Sequence, residues 1–415
     1  MTEPGVGAIP AAALEQAFAG SLPGWTLRPV LAWLAGEGRR AADLSQLLAG
    51  LGERLAAAGA PVWRLRVSLR TLHPQVAAFS SVWLRGRGAS AARVLREVTV
   101  SDAFIGSPIA HVIGNGTPFR RDLRDLVEGS DHQALHDVRA EGGTDYLALP
   151  AQWRDGIGAV FIVVSDAQGG FDATDLVKLT ALVECASPVL EVLALRHVAR
   201  SLLDTYLGPR TGERVLRGQV RRGDGETIEA ALWFSDLRDF TPLTESLPPE
   251  RLLDTLNVYF ELVAAAVTAR GGEILRFIGD AMLIVFPTTP GDDGRAACHA
   301  AMDAAEDAFA ALAAQNHRRR RAGEPQLRFG VGLHFGTVVY GNVGAPDRLD
   351  FTVMGTAVNR TARLESLTKT LGRPVLVSAE FGQRIDRPLE DLGLHPMKGV
   401  ATPQPVFAPA DAGTD

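Results

Sequence analysis

The chain has 415 residues, 46% hydrophobic and 22% charged, which suits two or three globular domains. A net charge of −6 argues against a broad nucleic-acid surface, and two distant cysteines, Cys185 and Cys298, make neither a disulfide framework nor a zinc motif. No continuous apolar run reaches the ~18 residues of a transmembrane helix, and the start, MTEPGVGAIPAAALEQ, lacks the basic n-region of a signal peptide; the expectation is a cytoplasmic protein with no membrane span.

Residues 1–40 read as an N-terminal helical segment, with ALEQAFAGSL and LRPVLAWLAGEG as short helices. AADLSQLLAGLGERLAAAG is amphipathic and is closed by Gly59. The period then changes to two. VWRLRVSLRTL and VAAFSSVWLRG, about the turn HPQ, predict one strand pair. DYLALPAQW and GAVFIVVSD, about RDGI, predict a second, and a long helical run follows from Ala173 to Leu203. Residues 41–203 thus read as an α+β domain with one antiparallel sheet. Its lone histidines, His73 and His111, read as surface or satisfied core residues rather than haem ligands. Cys185, on an apolar stripe of the last helix, reads as core.

Residues 204–227, rich in Gly and Arg, read as a connection. A second α+β domain runs from 228 to 408, ahead of a tail at 409–415. It opens with strand IEAALWFSD and helix PPERLLDTLNVYFELVAAAVTARGG. The strand pair EILRFIGD and AMLIVFP follows, then a helix ending in HRRRR, which reads as a solvated C-terminal turn. After it come LRFGVGLHFGTVVYGNVG, LDFTVMG, the helix TAVNRTARLESLTKTLG and strand PVLVS.

The chemistry concentrates in this second domain. FSDLRDFT sets Asp236 and Asp239 at a strand end, where a carboxylate is either a turn residue or part of a metal site. Gly279-Asp280 forms a two-residue turn between apolar strands. If the two strands are neighbours, Asp236 and Asp280 converge, and two carboxylates at one sheet edge repel unless a cation separates them. Mg²⁺-like ions take oxygen ligands and leave positions open for phosphate. Asn359 and Arg363, four apart on one helix, share a face. A guanidinium beside an amide suits a phosphoryl transition state, and a solvated helix face is the plain alternative.

FSDLRDFT, GGEILRFIGDAMLIVF, VGLHFGTVVYGNVG and LDFTVMGTAVNRTARLE together, in this order, resemble the catalytic domain of class III nucleotidyl cyclases over under half of the chain. The resemblance implies a ferredoxin-like catalytic domain that turns a nucleoside triphosphate into a 3′,5′-cyclic monophosphate and pyrophosphate. It implies two metal ions per site, Mg²⁺ or Mn²⁺, on Asp236 and Asp280 with the carbonyl of Leu237. Backbone amides through Phe240 and Thr241 would cradle phosphates, and Lys398 would meet the terminal ones. Asn359 would orient the ribose and Arg363 would stabilise the transition state. Asp239 falls outside this set and reads as a surface residue. The family builds its site from two domains, so the resemblance implies a homodimer with two equivalent sites.

At the two positions that read the base, this chain has Arg276 and Thr352. Adenylate cyclases usually carry lysine and aspartate there, and threonine is familiar in a bacterial subgroup that makes cyclic AMP. Guanylate cyclases typically carry glutamate and cysteine, which are absent here, so ATP is the expected substrate. The alternatives are a guanylate cyclase, a catalytically inactive nucleotide-binding signalling module, and a purely structural dimer. In the order of its elements and its place before such a domain, residues 41–203 resemble a GAF-type sensor, with an unidentified small-molecule ligand or a purely dimer-holding role.

Overall fold

The structure, a computed structural model, describes residues 9–71, 76–221, 223–289 and 291–410. His73 and the HPQ turn lie outside the described residues, as do the first eight residues and 411–415 of the tail. The chain divides into two units, Met1–Leu202 and Leu203–Asp415. Both are α+β, as expected.

The first unit contains α1 (Ala11–Ala19), α2 (Arg28–Ala35), α3 (Leu44–Ala57), β1 (Arg64–Arg70), β2 (Val76–Leu84) and β3 (Gly88–Leu95). It continues with α4 (Pro108–Asn115), β4 (Phe119–Asp122), α5 (Gln133–Ala140), β5 (Asp145–Trp153), β6 (Gly156–Ser165) and α6 (Ala173–Leu207), whose last residues pass into the second unit. Its sheet runs β3-β2-β1-β6-β5-β4, antiparallel throughout. Period-two alternation sorts β6 between two cores. Phe161 and Val163 join Leu47, Leu51 of α3 and Leu182, Leu190 of α6, while Val160, Ile162 and Val164 join Val112 of α4 and Leu135 of α5.

Residues 11–35, expected as a separate segment, belong to this unit. Leu27, Val30 and Leu34 enter the α3–α6 core. The Trp25 indole donates to Asp175 at 2.7 Å, and the buried Lys178 ammonium donates to the Pro23 carbonyl at 2.6 Å. β3 and β4 fill what the sequence left as an irregular middle. β3 is a mostly exposed edge strand of small residues, so it carries no alternating signal.

The second unit contains α7 (Pro209–Leu216), β7 (Gly225–Leu237), α8 (Phe240–Ser246), α9 (Pro249–Ala269), β8 (Glu273–Ile278), β9 (Ala281–Pro287) and α10 (Arg295–Arg321). It ends with β10 (Phe329–Ala345), β11 (Arg348–Met354), α11 (Thr356–Leu371), β12 (Val375–Ser378), α12 (Ala379–Gly382), β13 (Leu389–His395) and β14 (Gln404–Pro409). Its sheet runs β13-β14-β12-β10-β7-β9-β8 with β11 paired to β10. Taken as β7-α9-β8-β9-α10-β10, the core is the βαββαβ ferredoxin-like plan, with β7 and β9 central.

Alternation again assigns the faces. Ala231 and Trp233 of β7 pack with Tyr259, Val263 of α9 and Cys298, Ala301, Ala305 of α10. Ala230 and Leu232 face the other way, with Leu283, Tyr340 and Phe351. This second face is the one that carries Asp236. α11 lies against it over β10. A methyl at Gly332 would sit 2.5 Å from the Glu365 nitrogen and the Thr361 carbonyl, and one at Gly336 would sit 3.0 Å from the Ala357 methyl. Only glycine lets the helix come this near.

The connecting stretch 204–227 is not featureless. Thr211 of α7 is buried and its hydroxyl donates to Glu273 of β8 at 3.1 Å, and the Tyr340 hydroxyl donates to the same carboxylate at 2.8 Å. Among the described residues, one helix, α9, is long and apolar enough to cross a membrane by length and composition. It contains no continuous apolar run of that length, as expected, since Asp254 and Glu261 interrupt it. Tyr259, Val263 and Val267 on its inner stripe are core residues of this domain.

Candidate active site

β7 and β9 are antiparallel neighbours in which Asp236 pairs with Ala281, so the Gly279-Asp280 turn brings Asp280 beside Asp236. Burial, and then the charge of Asp236, push Asp280 up to about 6. Two carboxylates so placed repel each other, and a proton or a cation between them relieves that repulsion. The Tyr259 hydroxyl donates to Ser235 at 3.1 Å and pins the end of β7 in place. Behind the pair lies Glu365 of α11, a buried carboxyl pushed up to about 7 by its burial, with Arg238 3.6 Å away. Among the described residues no three His, Cys, Asp or Glu come together as a metal cage. Two acidic oxygens with open positions fit a hard divalent ion that keeps water and phosphate as its other ligands.

Leu237, the last residue of β7, is buried, and Phe240 and Thr241 begin α8 directly beyond. The chain turns between them at Asp239, whose φ of 57° is the one left-handed value of a non-glycine among the described residues. Arg328 donates to its exposed carboxylate at 2.6 Å. Asp239 is a surface residue, as expected, and also the residue that makes the turn.

Asn359 and Arg363 share a face of α11, as their spacing predicts. It is the outer face. The buried residues Thr361, Leu364, Glu365 and Thr368 point at the sheet, and 3.6 residues per turn puts 359 and 363 opposite them. A methyl at Gly399 would lie 3.4 Å from the Arg363 Nη2, so the exposed loop with Lys398 abuts Arg363. α11 runs antiparallel to β10, with Ala357 beside Gly336, whereas Asp236 pairs with Gly330. Arg363, between Thr361 and Glu365, lies near the level of Gly332, two strand residues from Gly330, so its direction away from the sheet and not its level keeps it from the carboxylates. One copy of the chain therefore does not bring Asp236 and Asp280 together with Asn359 and Arg363.

Arg276 lies on β8 and Thr352 on β11, the strand that leads through Gly355 into α11. Arg276 is ion-paired with Asp350, also on β11 and two residues before Thr352. Thr352 is buried. Asp350 had no separate mark in the sequence. The available signal was alternation, since residues two apart on a strand share a face. His111 is exposed, and both ring nitrogens have neighbours: Asn115 Nδ2 donates to Nδ1 at 3.1 Å, and the Thr117 hydroxyl is 3.4 Å from Nε2. That is a satisfied surface histidine, as expected.

Residues 225–397 match the family described as the adenylate and guanylate cyclase catalytic domain. The chain is similar to adenylate cyclase 1 of Rhizobium meliloti (strain 1021), 38% identical over 152 residues, covering 36% of this chain and 22% of that protein. It is similar to the adenylate cyclase of Anabaena cylindrica, 35% identical over 173 residues, covering 41% of this chain and 33% of that protein. The aligned part thus spans about a fifth to a third of the length of these relatives. Among solved structures it is similar to the adenylyl cyclase CyaB from P. aeruginosa, 29% identical over 46% of this chain and 98% of that chain, with a TM-score of 0.42.

Proposed function

Since residues 225–397 are a class III cyclase catalytic domain, we propose that the chain is an adenylate cyclase acting as a homodimer, turning ATP into 3′,5′-cyclic AMP and pyrophosphate. The observation that carries the dimer is the placement of Asn359 and Arg363 on the outer face of α11, away from the carboxylates of their own chain. A second copy, related by a two-fold axis, supplies to each carboxylate pair the helix face it lacks, and does so twice. Exposed apolar side chains beside both parts, Ile278 on β8 and Val339 and Val343 on β10, suit burial against such a copy.

In this reading the ribose 3′-hydroxyl gives up its proton to solvent, its oxygen attacks the α-phosphorus to form the new O3′–P bond, and pyrophosphate leaves with the electrons of the broken P–O bond. Asp236 and Asp280, with the Leu237 carbonyl, would hold the Mg²⁺ or Mn²⁺ ions. Bound there, such ions supply charge to the phosphates and lower the pKa of the attacking hydroxyl. Amides at Phe240 and Thr241 meet phosphate oxygens. Asn359 of the other copy fixes the ribose and thereby the line of attack. Arg363 meets charge that grows on the α-phosphate as the leaving oxygen departs. Lys398, beside Arg363, takes the terminal phosphates. Arg276 and Thr352 face the base.

The first unit is the regulatory part of this reading, with a GAF-like role in sensing a small molecule or a partner. GTP is the second reading of the substrate, favoured by one feature: Arg276 is a donor-only fork, which suits the two acceptors of guanine. Steady-state assays of the purified full chain with Mn²⁺, supplying ATP and GTP separately, decide the matter. Cyclic AMP from the wild type and none from Asp280→Ala is the expected result. Cyclic GMP as the main product would overturn the ATP assignment, and turnover untouched by Asp280→Ala would overturn the site.

A further inference from the structure

Between α10 and the first residues of β10 and β12, the second unit has an open cavity of about 1130 Å³. That is the size of a generous small-molecule site. Asp236, Asp280, Asn359 and Arg363 do not line it. Its floor is a stripe of α10, Met302, Ala305, Phe309 and Leu312, at helical spacing. Phe309 stacks on Phe329 of β10 with ring centroids 4.3 Å apart, which fixes this apolar wall. From Met302 to Leu312 the stripe is roughly 15 Å long at ~1.5 Å per residue. Charge gathers at one end of it. Asn316, one turn beyond Leu312, donates to the Leu327 carbonyl at 2.8 Å, so this end of the helix adjoins the start of β10. Arg238 donates to Thr368 beside it, and the Val331 N–H donates to the Pro374 carbonyl at 2.8 Å. Arg238, Arg328, Lys369 and Arg373 therefore line the same end, against one acid, Asp239. We propose that this cavity binds a single-chain fatty carboxylate, with its alkyl chain along α10 and its head among these four cations.

An apolar trough with cations at one end is the complement of an amphiphile, and neither of a neutral hydrocarbon nor of a uniformly polar metabolite. At the other end Arg387 also lines the cavity, but Asp303 and Glu306 both hold it, so that end offers no free positive charge. Three of the four clustered cations have a carboxylate already. Arg238 lies 3.6 Å from Glu365, Arg328 donates to Asp239 at 2.6 Å, and Arg373 is paired with Glu390. Lys369 is exposed and has no ion-pair partner among the described residues. One positive charge is left over, which suits a monoanion better than a phosphate carrying close to two charges. A carboxylate also takes the short, charge-assisted bonds that ammonium and guanidinium groups offer. Removing the alkyl chain from water against the α10 stripe supplies affinity, and the charged end supplies direction.

Isothermal calorimetry on the full-length chain, with no nucleotide or metal added, tests this with decanoate below its micelle concentration and 1-decanol as the uncharged control. Saturable decanoate binding is expected, with 1-decanol bound about tenfold more weakly or worse, the scale of one charge-assisted bond. Lys369→Glu should weaken decanoate about tenfold or more and leave 1-decanol unchanged. Ala313→Trp, on α10 at the cavity, puts an indole over the trough and should weaken both. Both positions are exposed, so the fold tolerates the changes, and thermal melts check each variant. No saturable decanoate binding, equal affinity for acid and alcohol, or affinity untouched by Ala313→Trp overturns the proposal. Self-association that Ala313→Trp abolishes and decanoate does not compete with would assign the cavity to a second copy instead. No turnover is read, so each outcome is independent of the cyclase reading.

Discussion

The β7–β9 end of the catalytic sheet and the outer face of α11 are built in opposite ways. At the first, Asp236 and Asp280 are half-buried and forced together, and burial and mutual charge raise one of them to about 6. At the second, Asn359 is exposed, and Arg363 has no ion-pair partner among the described residues. One end holds excess negative charge and the other an unspent cation. With Arg363 on the face of α11 turned away from the sheet, neither can relieve the other within one chain. In the proposed homodimer, this sheet is half of two sites rather than the whole of one.

The hardest way to break the contrast is at the carboxylates. Asp236→Ala or Asp280→Ala should lower kcat/KM for ATP by about a thousandfold or more, since metal holding and charge neutralisation are lost together. Steady-state kinetics over a Mn²⁺ titration checks this, and activity restored merely by excess metal would argue for a lesser role. Arg363→Ala should cost about a hundred- to a thousandfold, mostly in kcat, because its charge matters as the leaving group departs. A loss confined to KM would assign Arg363 to ground-state binding instead.

Mixing sharpens the comparison further. Asp280→Ala and Arg363→Ala chains, each nearly inactive, should regain about a quarter of wild-type activity when refolded together in equal amounts. Half the pairs are then mixed, and each mixed pair has one intact site of two. A mixture as inactive as its parts would sink the shared site.

The smallest effect lies between the ends. His334 is buried on β10, with Nδ1 2.8 Å from the Ser378 hydroxyl, and burial lowers it to about 4. Its ordinary value is near 6.5, so the unfolded chain takes up a proton before the folded one does as pH falls. This part of stability is present above pH 6.5 and is lost as pH drops toward 4, about 3 kcal/mol in all. Urea midpoints at pH 7.5 and 5 should differ more for wild type than for His334→Gln. An equal loss in both would trace the pH dependence to other groups.

The legible parts of this molecule are those whose signal is local. Gly279-Asp280 between two apolar runs marks a hairpin, so Asp280 was found from the chain alone. Asn359 and Arg363 share a face by spacing, but which face depends on Thr361 and Leu364 meeting Gly332 across the fold. Arg276 was identified while its partner was not, because an ion pair between β8 and β11 leaves no trace in either segment. β3 and β4 were missed for lack of alternation, one being an exposed edge strand and the other four residues long. Residues 11–35 looked detached because Trp25–Asp175 and Lys178–Pro23 join positions some 150 apart.

Gly332 and Gly336 give β10 a further property. With hydrogen where side chains would stand, they act as detents against which α11 settles, and the strand between them becomes a gauge block. Its length is set by covalent geometry, ~3.3 Å per residue, and not by side chains that flex. One residue inserted between these glycines would advance the helix seat by one notch and also turn every later side chain of β10 to the opposite face. The spacing between the acidic end and the helix face can therefore change only in steps of two residues, which makes this strand a part of the chain with almost no room to drift in length.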